Sequence, residues 1–362
     1  MTRGLVTVVA LAAMLAAGCA GPATPDAPTT VDPTTVDPTT VDSATVAPTT
    51  GPRPSQPIPG PPAPTVRCGD PAARDVSTAD QLRDALVHAQ PGMVIHLRDG
   101  TYPGRFEITT AATADRPITL CGSRAAILDG GPIKETGYTL HLRGADHWQL
   151  SGFTIHGGQK GLMLDNTRAA LIEGLLIHEV GDEALHLRTA SSDNTVRANT
   201  IRRTGLRKKK FGEGIYIGSA RSNWCTHTNC EPDRSDRNLI EANDIADTTA
   251  EAIDVKEGTS SGTLRGNILS GAAMTAADSW VDIKGNDWTI ADNIGTNAPK
   301  DGFQTHRILD GWGERNTFHG NTATVNAAGY AINITKKNLG NTVNCTNHAI
   351  NANAGLSNIP CQ

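Results

Sequence analysis

Two neighbouring segments of the sequence, AEAIDVKEG and DSWVDIKGN within residues 250–286, repeat one pattern of residues. Each alternates apolar and polar residues with a period of two, which predicts a short β-strand with one apolar face. Their polar residues match, since Asp254 and Lys256 in the first segment correspond to Asp282 and Lys284 in the second. If these strands stack in parallel, about 4.8 Å apart, two aspartates and two lysines share one exposed face.

The same strand pattern recurs through the middle of the chain at intervals of 22 to 38 residues, which is typical of a solenoid. The first inward residues of the predicted strands are Leu140, Leu162, Leu185, Ile215, Ile253, Val281, Phe303 and Ile332. A second apolar segment of the repeat ends in asparagine, at Asn199, Asn243, Asn267, Asn293, Asn321 and Asn347. Asparagine tolerates a left-handed backbone, and its amide can hydrogen-bond the next copy. These columns predict a parallel coil with an asparagine ladder at one bend.

This repeat and its asparagine column resemble the right-handed parallel β-helix proteins of the pectate-lyase-like superfamily. The resemblance covers roughly the last three-quarters of the chain and implies an all-β fold, a right-handed parallel β-helix solenoid. We expect residues 67–362 to form one elongated domain of this kind. Before the coil, Thr78 and Gln81 are spaced as a capping box at the start of an amphipathic segment. We expect a short N-terminal capping helix there, because the first turn of a coil exposes an apolar edge. The segment 81–104 resembles the opening of the chondroitinase-B and alginate-lyase group.

The N-terminal residues predict export. Residues 1–19 contain an early cation, Arg3, and an apolar run that is too short to span a bilayer, which indicates a signal peptide. The order Leu-Ala-Ala-Gly-Cys resembles a bacterial lipoprotein cleavage site and implies that Cys19 becomes lipid-modified. The alternative is an ordinary secretory signal cleaved near Ala20, which would give a secreted protein. Residues 20–66 are rich in Pro and Thr and predict a disordered linker.

These features predict a protein that is lipid-anchored to the outer face of a bacterial cell membrane and touches the membrane only through that anchor. We expect a monomer. The formal net charge of −5 argues against a nucleic-acid partner.

The other six cysteines predict disulfides in an exported protein. The expected local pairs are Cys68 with Cys121, Cys225 with Cys230, and Cys345 with Cys361. A zinc site of Cys225, His227 and Cys230 is the alternative for the middle pair, although this loop offers only three ligands.

The outward residues of the middle strands concentrate groups that can do chemistry. The central outward column is His141, Met163, His186, Tyr216, Asp254, Asp282, Gln304 and Asn333, and two places further along come Arg143, Asp165, Arg188, Gly218, Lys256, Lys284, His306 and Thr335. Two insertions, LRKKKFGEG before the Ile215 strand and SARSNWCTHTNCEPDRSD after it, would wall this face. We predict that substrate is bound by Arg188, His186, Trp224, Arg307 and Trp312, with the tryptophans stacking on sugar rings. The basic run 207–210 would attract an acidic polymer, or it is simply a solvated loop.

Cleavage of a uronate polymer by β-elimination fits these groups. The substrate carboxylate is neutralised, a base removes the C5 proton, and the leaving oxygen is protonated. Lys256 or Lys284 is the predicted base, with its pKa lowered by burial and by the other lysine, and Tyr216 or His306 is the predicted proton donor. Lyases that this fold resembles use a Lys or Arg base, commonly with calcium. The predicted Ca²⁺ ligands are Asp254 and Asp282 with Glu251 or Glu257, although no complete calcium motif of one lyase family is present.

Three alternatives to a lyase stay open. The Asp-x-Lys pairs would form a surface salt-bridge ladder, with about 0–1 kcal/mol per pair. Asp254 and Asp282, stacked roughly 5 Å apart, would have the separation of a retaining glycosidase pair. The motifs of β-helix polygalacturonases are absent, which makes hydrolysis the second choice. A non-catalytic surface protein would use the same groove only to bind an acidic polysaccharide.

Overall fold

The computed structural model describes Cys68, Gly69 and residues 72–362. The predicted signal peptide, the lipidation site Cys19 and the linker 20–66 lie outside the described residues, so export and lipid anchoring stay predictions. Among the described residues, no helix has both the length and the apolar character needed to cross a membrane.

The chain winds into a coil in which every turn contributes parallel strands to three sheets. Strands that are neighbours in a sheet come from successive turns, so each sheet runs along the coil. This arrangement is a parallel β-helix, the fold that the repeat predicts.

Within the described part of the chain, sheet 1 has 11 strands and sheets 2 and 3 have 10 strands each. Sheet 1 consists of β1 (Arg74–Val76), β2 (Val94–Leu97), β5 (Ile118–Gly122), β8 (Trp148–Ser151), β11 (Leu171–Glu173), β14 (Thr195–Arg197), β17 (Leu239–Glu241), β20 (Thr263–Arg265), β23 (Thr289–Ala291), β26 (Thr317–His319) and β29 (Thr342–Val343). Sheet 2 consists of β3 (Gly100–Pro103), β6 (Ala126–Asp129), β9 (Thr154–His156), β12 (Leu176–His178), β15 (Thr200–Arg202), β18 (Asp244–Ala246), β21 (Ile268–Ser270), β24 (Ile294–Thr296), β27 (Thr322–Ala327) and β30 (His348–Ala352). Sheet 3 consists of β4 (Phe106–Ile108), β7 (Tyr138–Arg143), β10 (Lys160–Asp165), β13 (Leu185–Arg188), β16 (Ile215–Ile217), β19 (Ile253–Val255), β22 (Ser279–Ile283), β25 (Asp301–Thr305), β28 (Tyr330–Ile334) and β31 (Gly355–Ser357).

The predicted register of sheet 3 is confirmed at every turn. Ile253 pairs with Ile215 on one side and with Val281 on the other, and the remaining members of the inward column pair in the predicted order. The inward residues are almost fully buried, with Ile253 0% and Val281 1% exposed. Each such side chain contributes about 1.5–3 kcal/mol by leaving water. The apolar period of two therefore sets which residues face outward.

The asparagine ladder is also confirmed. The side-chain Nδ2 of each asparagine donates to the Oδ1 of the next, at 2.9, 3.0, 2.9, 2.9 and 2.8 Å from Asn199 to Asn347. The same Oδ1 accepts the backbone N–H of the preceding ladder residue, as for Asn243 Oδ1 and Asn199 N–H at 3.1 Å. The ladder thus satisfies backbone groups that the bend leaves without a strand partner.

The prediction of a left-handed backbone at these asparagines is wrong by one residue. The positive φ falls on the preceding residue, with values of 54° at Ala198, 53° at Ala242 and 55° at Asp292. The asparagine is needed for its amide, while its neighbour makes the bend. A second ladder that sequence analysis missed joins Asn194 to Asn238 at 3.1 Å.

The predicted helix α1 spans Ala79–Val87 and lies against β1, β3 and β4 of the first turns. The Thr78 side chain accepts the N–H of Gln81 at 3.2 Å, as the capping box predicts. The buried face of α1 is formed by Leu82, Ala85 and Leu86.

The three predicted disulfides are present, with S–S distances of 2.05, 2.10 and 2.02 Å for Cys68–Cys121, Cys225–Cys230 and Cys345–Cys361. The zinc alternative for Cys225, His227 and Cys230 is wrong, because both thiols are consumed in a disulfide.

Candidate active site

A cavity of about 580 Å³ lies over the middle turns of sheet 3. It is rich in positive charge, because among the described residues five Lys or Arg side chains line it against three Asp or Glu side chains. The cations are Lys160, Arg188, Arg207, Lys210 and Lys256, and the acids are Asp182, Glu183 and Glu213. Phe211 and Tyr216 add two aromatic rings. Such a cavity suits a polyanion that also presents apolar ring faces.

The two predicted insertions form the walls of this cavity. The first contains a 3-10 helix, Lys209–Phe211, and the second contains a 3-10 helix, Arg221–Asn223, followed by α2 (Trp224–His227). Arg207 Nε donates to Asp182 at 3.0 Å, and the backbone N–H of Arg221 donates to Glu257 Oε1 at 2.8 Å. Side chains of the coil therefore hold both insertions in place.

The prediction that the duplicated Asp-x-Lys residues lie on an exposed face is wrong. Asp254 is 1%, Asp282 6% and Lys284 7% exposed. Lys256 keeps 15% of its side-chain surface and is the one of these four residues that lines the cavity. The insertions cover the strand face, so the site is a partly enclosed cavity.

Asp254 joins the two lysines. Its Oδ2 lies 2.6 Å from Lys256 Nζ, and its Oδ1 lies 2.6 Å from Lys284 Nζ. Lys284 also lies 3.1 Å from Asp282 Oδ2. The four groups form a buried network of alternating charge, which is far less screened than the surface ladder considered above.

The predicted lowering of a lysine pKa is wrong for both residues. Burial lowers the pKa of Lys256, but the carboxylate of Asp254 outweighs it, so the pKa lies above its ordinary value. Burial likewise lowers the pKa of Lys284, and Asp254 with Asp282 raises it above the ordinary value. Sequence reasoning considered the like charge of the second lysine but not a carboxylate in contact with both. Both lysines are cations at neutral pH.

Tyr216 lies beside Lys256, with Lys256 Nζ 4.9 Å from the centre of the phenol ring. Within the described residues, the Tyr216 hydroxyl makes no hydrogen bond, although the residue lines the cavity. Burial first, and then the negative charge of Asp254, raise the pKa of Tyr216 well above its ordinary value. The cavity therefore contains a protonated phenol whose oxygen is free to meet a substrate.

His186 and Arg188 line the cavity as predicted, but protein groups occupy their polar atoms. His186 Nδ1 lies 3.1 Å from Glu183 Oε1, and Nε2 lies 2.8 Å from the carbonyl oxygen of Gly218. Arg188 donates to Asp165 at 2.6 Å and 3.0 Å, and its Nη2 donates to the Tyr138 hydroxyl at 2.9 Å. These side chains shape the cavity floor and hold its charge in place.

The predicted calcium ligands separate into different environments. Glu251 and Asp254 form a carboxylate cluster with Glu213, in which one ligand atom from each lies within 4.8 Å of the others. Glu257 instead holds the second insertion, and Asp282 is engaged by Lys284 and by the Ser279 hydroxyl at 2.8 Å. Both oxygens of Asp254 already contact ammonium groups, so a cation here would have to displace a lysine. The residues present do not fit a calcium ion in this arrangement, and calcium dependence stays a prediction.

Glu251 and Glu213 of the carboxylate cluster hold their protons more tightly than isolated carboxyls do. Burial and the charge of Asp254 raise the pKa of Glu251 to about 7, and the same causes raise the pKa of Glu213 well above its ordinary value. Sequence analysis missed Glu213 as a site residue, although its position just before β16 matches that of Glu251 before β19.

His306 and Arg307 lie in a second cavity of about 410 Å³. His306 Nε2 lies 2.5 Å from Gln304 Oε1 and 3.5 Å from Asp282 Oδ1, so it reaches the charge network from outside the first cavity. Arg307 is exposed and pairs with Asp310 at 2.6 Å. The structure thus places Tyr216 and Lys256 together and His306 apart from them.

Neither of the two predicted tryptophan platforms lines the cavity. Trp224 is 6% exposed, and its Nε1 donates to the carbonyl oxygen of Ser219 at 2.9 Å, so the ring packs beneath the second insertion. The Trp312 ring is faced by the Arg234 guanidinium at 5.5 Å and lines neither cavity. Phe211, which sequence analysis did not single out, is 39% exposed in the cavity wall.

Comparison with known proteins agrees with this architecture. Residues 118–234 match the family model described as a right handed beta helix region. An alginate lyase from Paenibacillus sp. str. FPU-7 has 35% sequence identity and a TM-score of 0.71, over 78% of this chain and 97% of that chain. No curated protein matches the sequence significantly.

Two more distant structures share the fold alone. A pectate lyase has 13% identity and a TM-score of 0.53, over 76% of this chain and 75% of that chain. The catalytic unit of an alpha-1,3-glucanase from Streptomyces thermodiastaticus has 15% identity and a TM-score of 0.51, over 82% of this chain and 66% of that chain.

The coil and its cavity define a right-handed parallel β-helix protein of the polysaccharide-lyase type. The chain belongs to the same family as the alginate lyase from Paenibacillus, since that relative is 35% identical and is covered over 97% of its length.

Proposed function

We propose that the protein is a polysaccharide lyase that cleaves an acidic, uronate-containing polysaccharide by β-elimination in the 580 Å³ cavity. The observation that carries the proposal is the position of the Lys256 ammonium over the Tyr216 ring, 4.9 Å from its centre, beside a Tyr216 hydroxyl that has no hydrogen-bond partner in a cationic cavity. The name of the alginate lyase relative makes alginate the first substrate to test.

Lys256 neutralises the substrate carboxylate. Elimination begins with loss of the C5 proton, which becomes acidic when the adjacent carboxylate is paired with a cation. Because Asp254 raises the pKa of Lys256, this side chain is an ammonium and serves as that cation rather than as the base. Its 15% exposed side chain lies at the cavity wall, whereas Lys284 is more deeply buried.

Tyr216 moves the proton. Its oxygen accepts the proton from C5 while its own proton passes to the glycosidic oxygen at C4, so the phenol is neutral before and after the step. The C5–H and C4–O bonds break, and a C4–C5 double bond forms. Tyr216 does not have to be ionised before the reaction, which is consistent with its raised pKa. Among the cavity groups, His186 is less suited because both of its ring nitrogens have protein partners.

The experiment measures near-ultraviolet absorbance during incubation with alginate, pectate and other uronate polysaccharides, because elimination leaves a conjugated double bond. Tyr216→Phe is expected to lower kcat by a factor of about 100 or more, as for loss of a proton-transfer group. Lys256→Met should lose activity to a similar extent, whereas Lys256→Arg should keep a measurable part because it keeps the positive charge. Lys336→Ala, which lines only the second cavity, is the control.

Four results would contradict this assignment. Full activity of Tyr216→Phe would remove Tyr216 from the reaction, and equal inactivity of Lys256→Arg and Lys256→Met would argue for a lysine base. New reducing ends without absorbance would indicate hydrolysis, as the alternative based on Asp254 and Asp282 predicts. Binding without either product would indicate a non-catalytic carbohydrate-binding protein.

A further inference from the structure

A cluster of two histidines and one glutamate lies on sheet 2, outside both cavities. His156 ends β9, His178 ends β12, and the two residues are paired neighbours whose ring centres are 5.0 Å apart. Glu179 follows directly, and its Oε2 lies 3.1 Å from His156 Nε2. One ligand atom from each of the three side chains lies within 4.8 Å of the others.

The neighbours of this cluster orient it. His156 Nδ1 lies 3.2 Å from Asp129 Oδ1, so a carboxylate holds the ring nitrogen that faces away from Glu179. Metal-binding histidines usually have their second nitrogen held in this way, which fixes the ring orientation. Arg203 pairs with the other oxygen of Glu179 and leaves Oε2 directed at His156. His156 and Glu179 are 34% and 33% exposed, so an ion from solvent can reach them.

We propose that His156, His178 and Glu179 form a binding site for a divalent transition metal of the Zn²⁺ class, with water as the fourth ligand. Two imidazole nitrogens and one carboxylate are a donor set that Zn²⁺ accepts, with metal–ligand distances of about 2.0–2.2 Å. The 3.1 Å between His156 Nε2 and Glu179 Oε2 suits two ligands of one such ion, and one ring nitrogen of His178 lies within 4.8 Å of a ligand atom of each. Ca²⁺ prefers oxygen ligands alone, so this site is chemically distinct from the predicted calcium site.

The site would tie together the turns that build one wall of the cavity. Lys160 and Asp182 both line the cavity. Lys160 follows His156 by four residues, and Asp182 follows Glu179 by three. A metal that bridges His156 and Glu179 therefore links these two turns beside the cavity. We infer that the ion acts as a structural clamp, which binds without contributing a group to the reaction.

The test is isothermal titration of the metal-free full chain with ZnCl₂, and separately with CaCl₂. We expect one Zn²⁺ per chain, no Ca²⁺ binding by this cluster, and a rise in Tm on addition of Zn²⁺. Asp129→Asn should weaken Zn²⁺ binding by a factor of about 10–100, as loss of an orienting carboxylate does elsewhere. The double variant His156→Ala/His178→Ala should lose the site, whereas His348→Ala, an exposed histidine of β30 in the same sheet, should bind normally.

Absence of Zn²⁺ binding by the wild-type chain would overturn the proposal, as would undiminished binding by the double variant. Because the double variant removes two side chains, its fold is checked by circular dichroism. The single variant Glu179→Gln, which keeps the size of the side chain, gives a second measurement of the same site. Equal binding of Zn²⁺ by wild type and Glu179→Gln would exclude the carboxylate as a ligand and overturn the three-residue site.

Discussion

Replacement of Asp254 by asparagine tests whether the Asp-x-Lys residues form a buried charge network or only a surface ladder of salt bridges. Asp254 is 1% exposed and holds Lys256 and Lys284, each at 2.6 Å. Asparagine keeps the size of the side chain but removes its charge, so little packing is lost. Removal of one partner of a buried ion pair costs about 3–5 kcal/mol, because the other charge stays buried without compensation.

The lower end of this range is expected for Asp254→Asn. The charge of Asp254 raises the pKa values of Glu213 and Glu251, so its loss also relieves repulsion in the carboxylate cluster. Lys284 keeps its contact with Asp282 at 3.1 Å, which leaves Lys256 as the unbalanced charge. We therefore expect a decrease of about 3 kcal/mol in the free energy of unfolding.

Urea unfolding at neutral pH measures this change, with Asp287→Asn as a matched control. Asp287 accepts two hydrogen bonds from Arg315, at 2.7 and 2.9 Å, but its side chain is 43% exposed. The control should therefore lose less than about 1 kcal/mol. Combining Asp254→Asn with Lys256→Met should recover part of the lost stability, because Asp282 and Lys284 then remain as a balanced pair.

Equal decreases in the free energy of unfolding for Asp254→Asn and Asp287→Asn would refute the buried network and favour the surface ladder instead. A double variant that is less stable than Asp254→Asn would show that the packing of the Lys256 side chain, rather than its charge, matters most.

The remaining predictions concern pH, the ladder, calcium and localisation. Burial and Asp254 raise the pKa of Glu251 to about 7 from 4.5, so its contribution to stability is fully present below pH 4.5 and is lost as the pH rises through about 7. Glu251→Gln should flatten this part of the dependence of unfolding free energy on pH, as measured by urea unfolding across that range. Asn267→Ala removes hydrogen bonds to two neighbouring turns and should cost about 2–3 kcal/mol in thermal unfolding, whereas Asn326→Ala at an exposed position of β27 should cost much less. The calcium prediction is supported if EDTA abolishes turnover and added Ca²⁺ restores it, and it is contradicted if turnover is unaffected. Cys19→Ser should release the protein from the membrane fraction, and unchanged retention on an immunoblot would argue against a lipid anchor.

The columns of sheet 3 are predictable from the sequence because each strand carries its own period of two and the next turn repeats it. Tyr216 stacks on Asp254, and Asp254 on Asp282, as counting inward residues predicts. The asparagine ladder is predictable for the same reason, since one residue type at one bend is a local signal copied many times. Repetition converts a weak local pattern into a reliable register.

The environment of the site is not predictable in this way, because it depends on two insertions that have no repeat. Asp254 and Lys284 are buried, and burial changes an expected surface ladder into a charge network. The sign of the lysine pKa shift then depends on contacts of 2.6 Å that residue spacing alone does not define. Trp224 shows the same limit. A tryptophan in a loop beside the site suggests a platform for a sugar ring, but its indole N–H donates to the carbonyl oxygen of Ser219 within the loop.

The bend that carries the asparagine ladder has the same length in turn after turn. Two residues separate β14 from β15, β17 from β18, β20 from β21 and β23 from β24. The variation in repeat length, from 22 to 38 residues, therefore falls in the other connections, which include both walls of the cavity. Extra residues at the ladder bend would displace an amide that serves two turns, whereas the loops around the cavity can change length without altering the coil. Exchange of those loops between relatives offers a route to new substrate preferences on an unchanged scaffold.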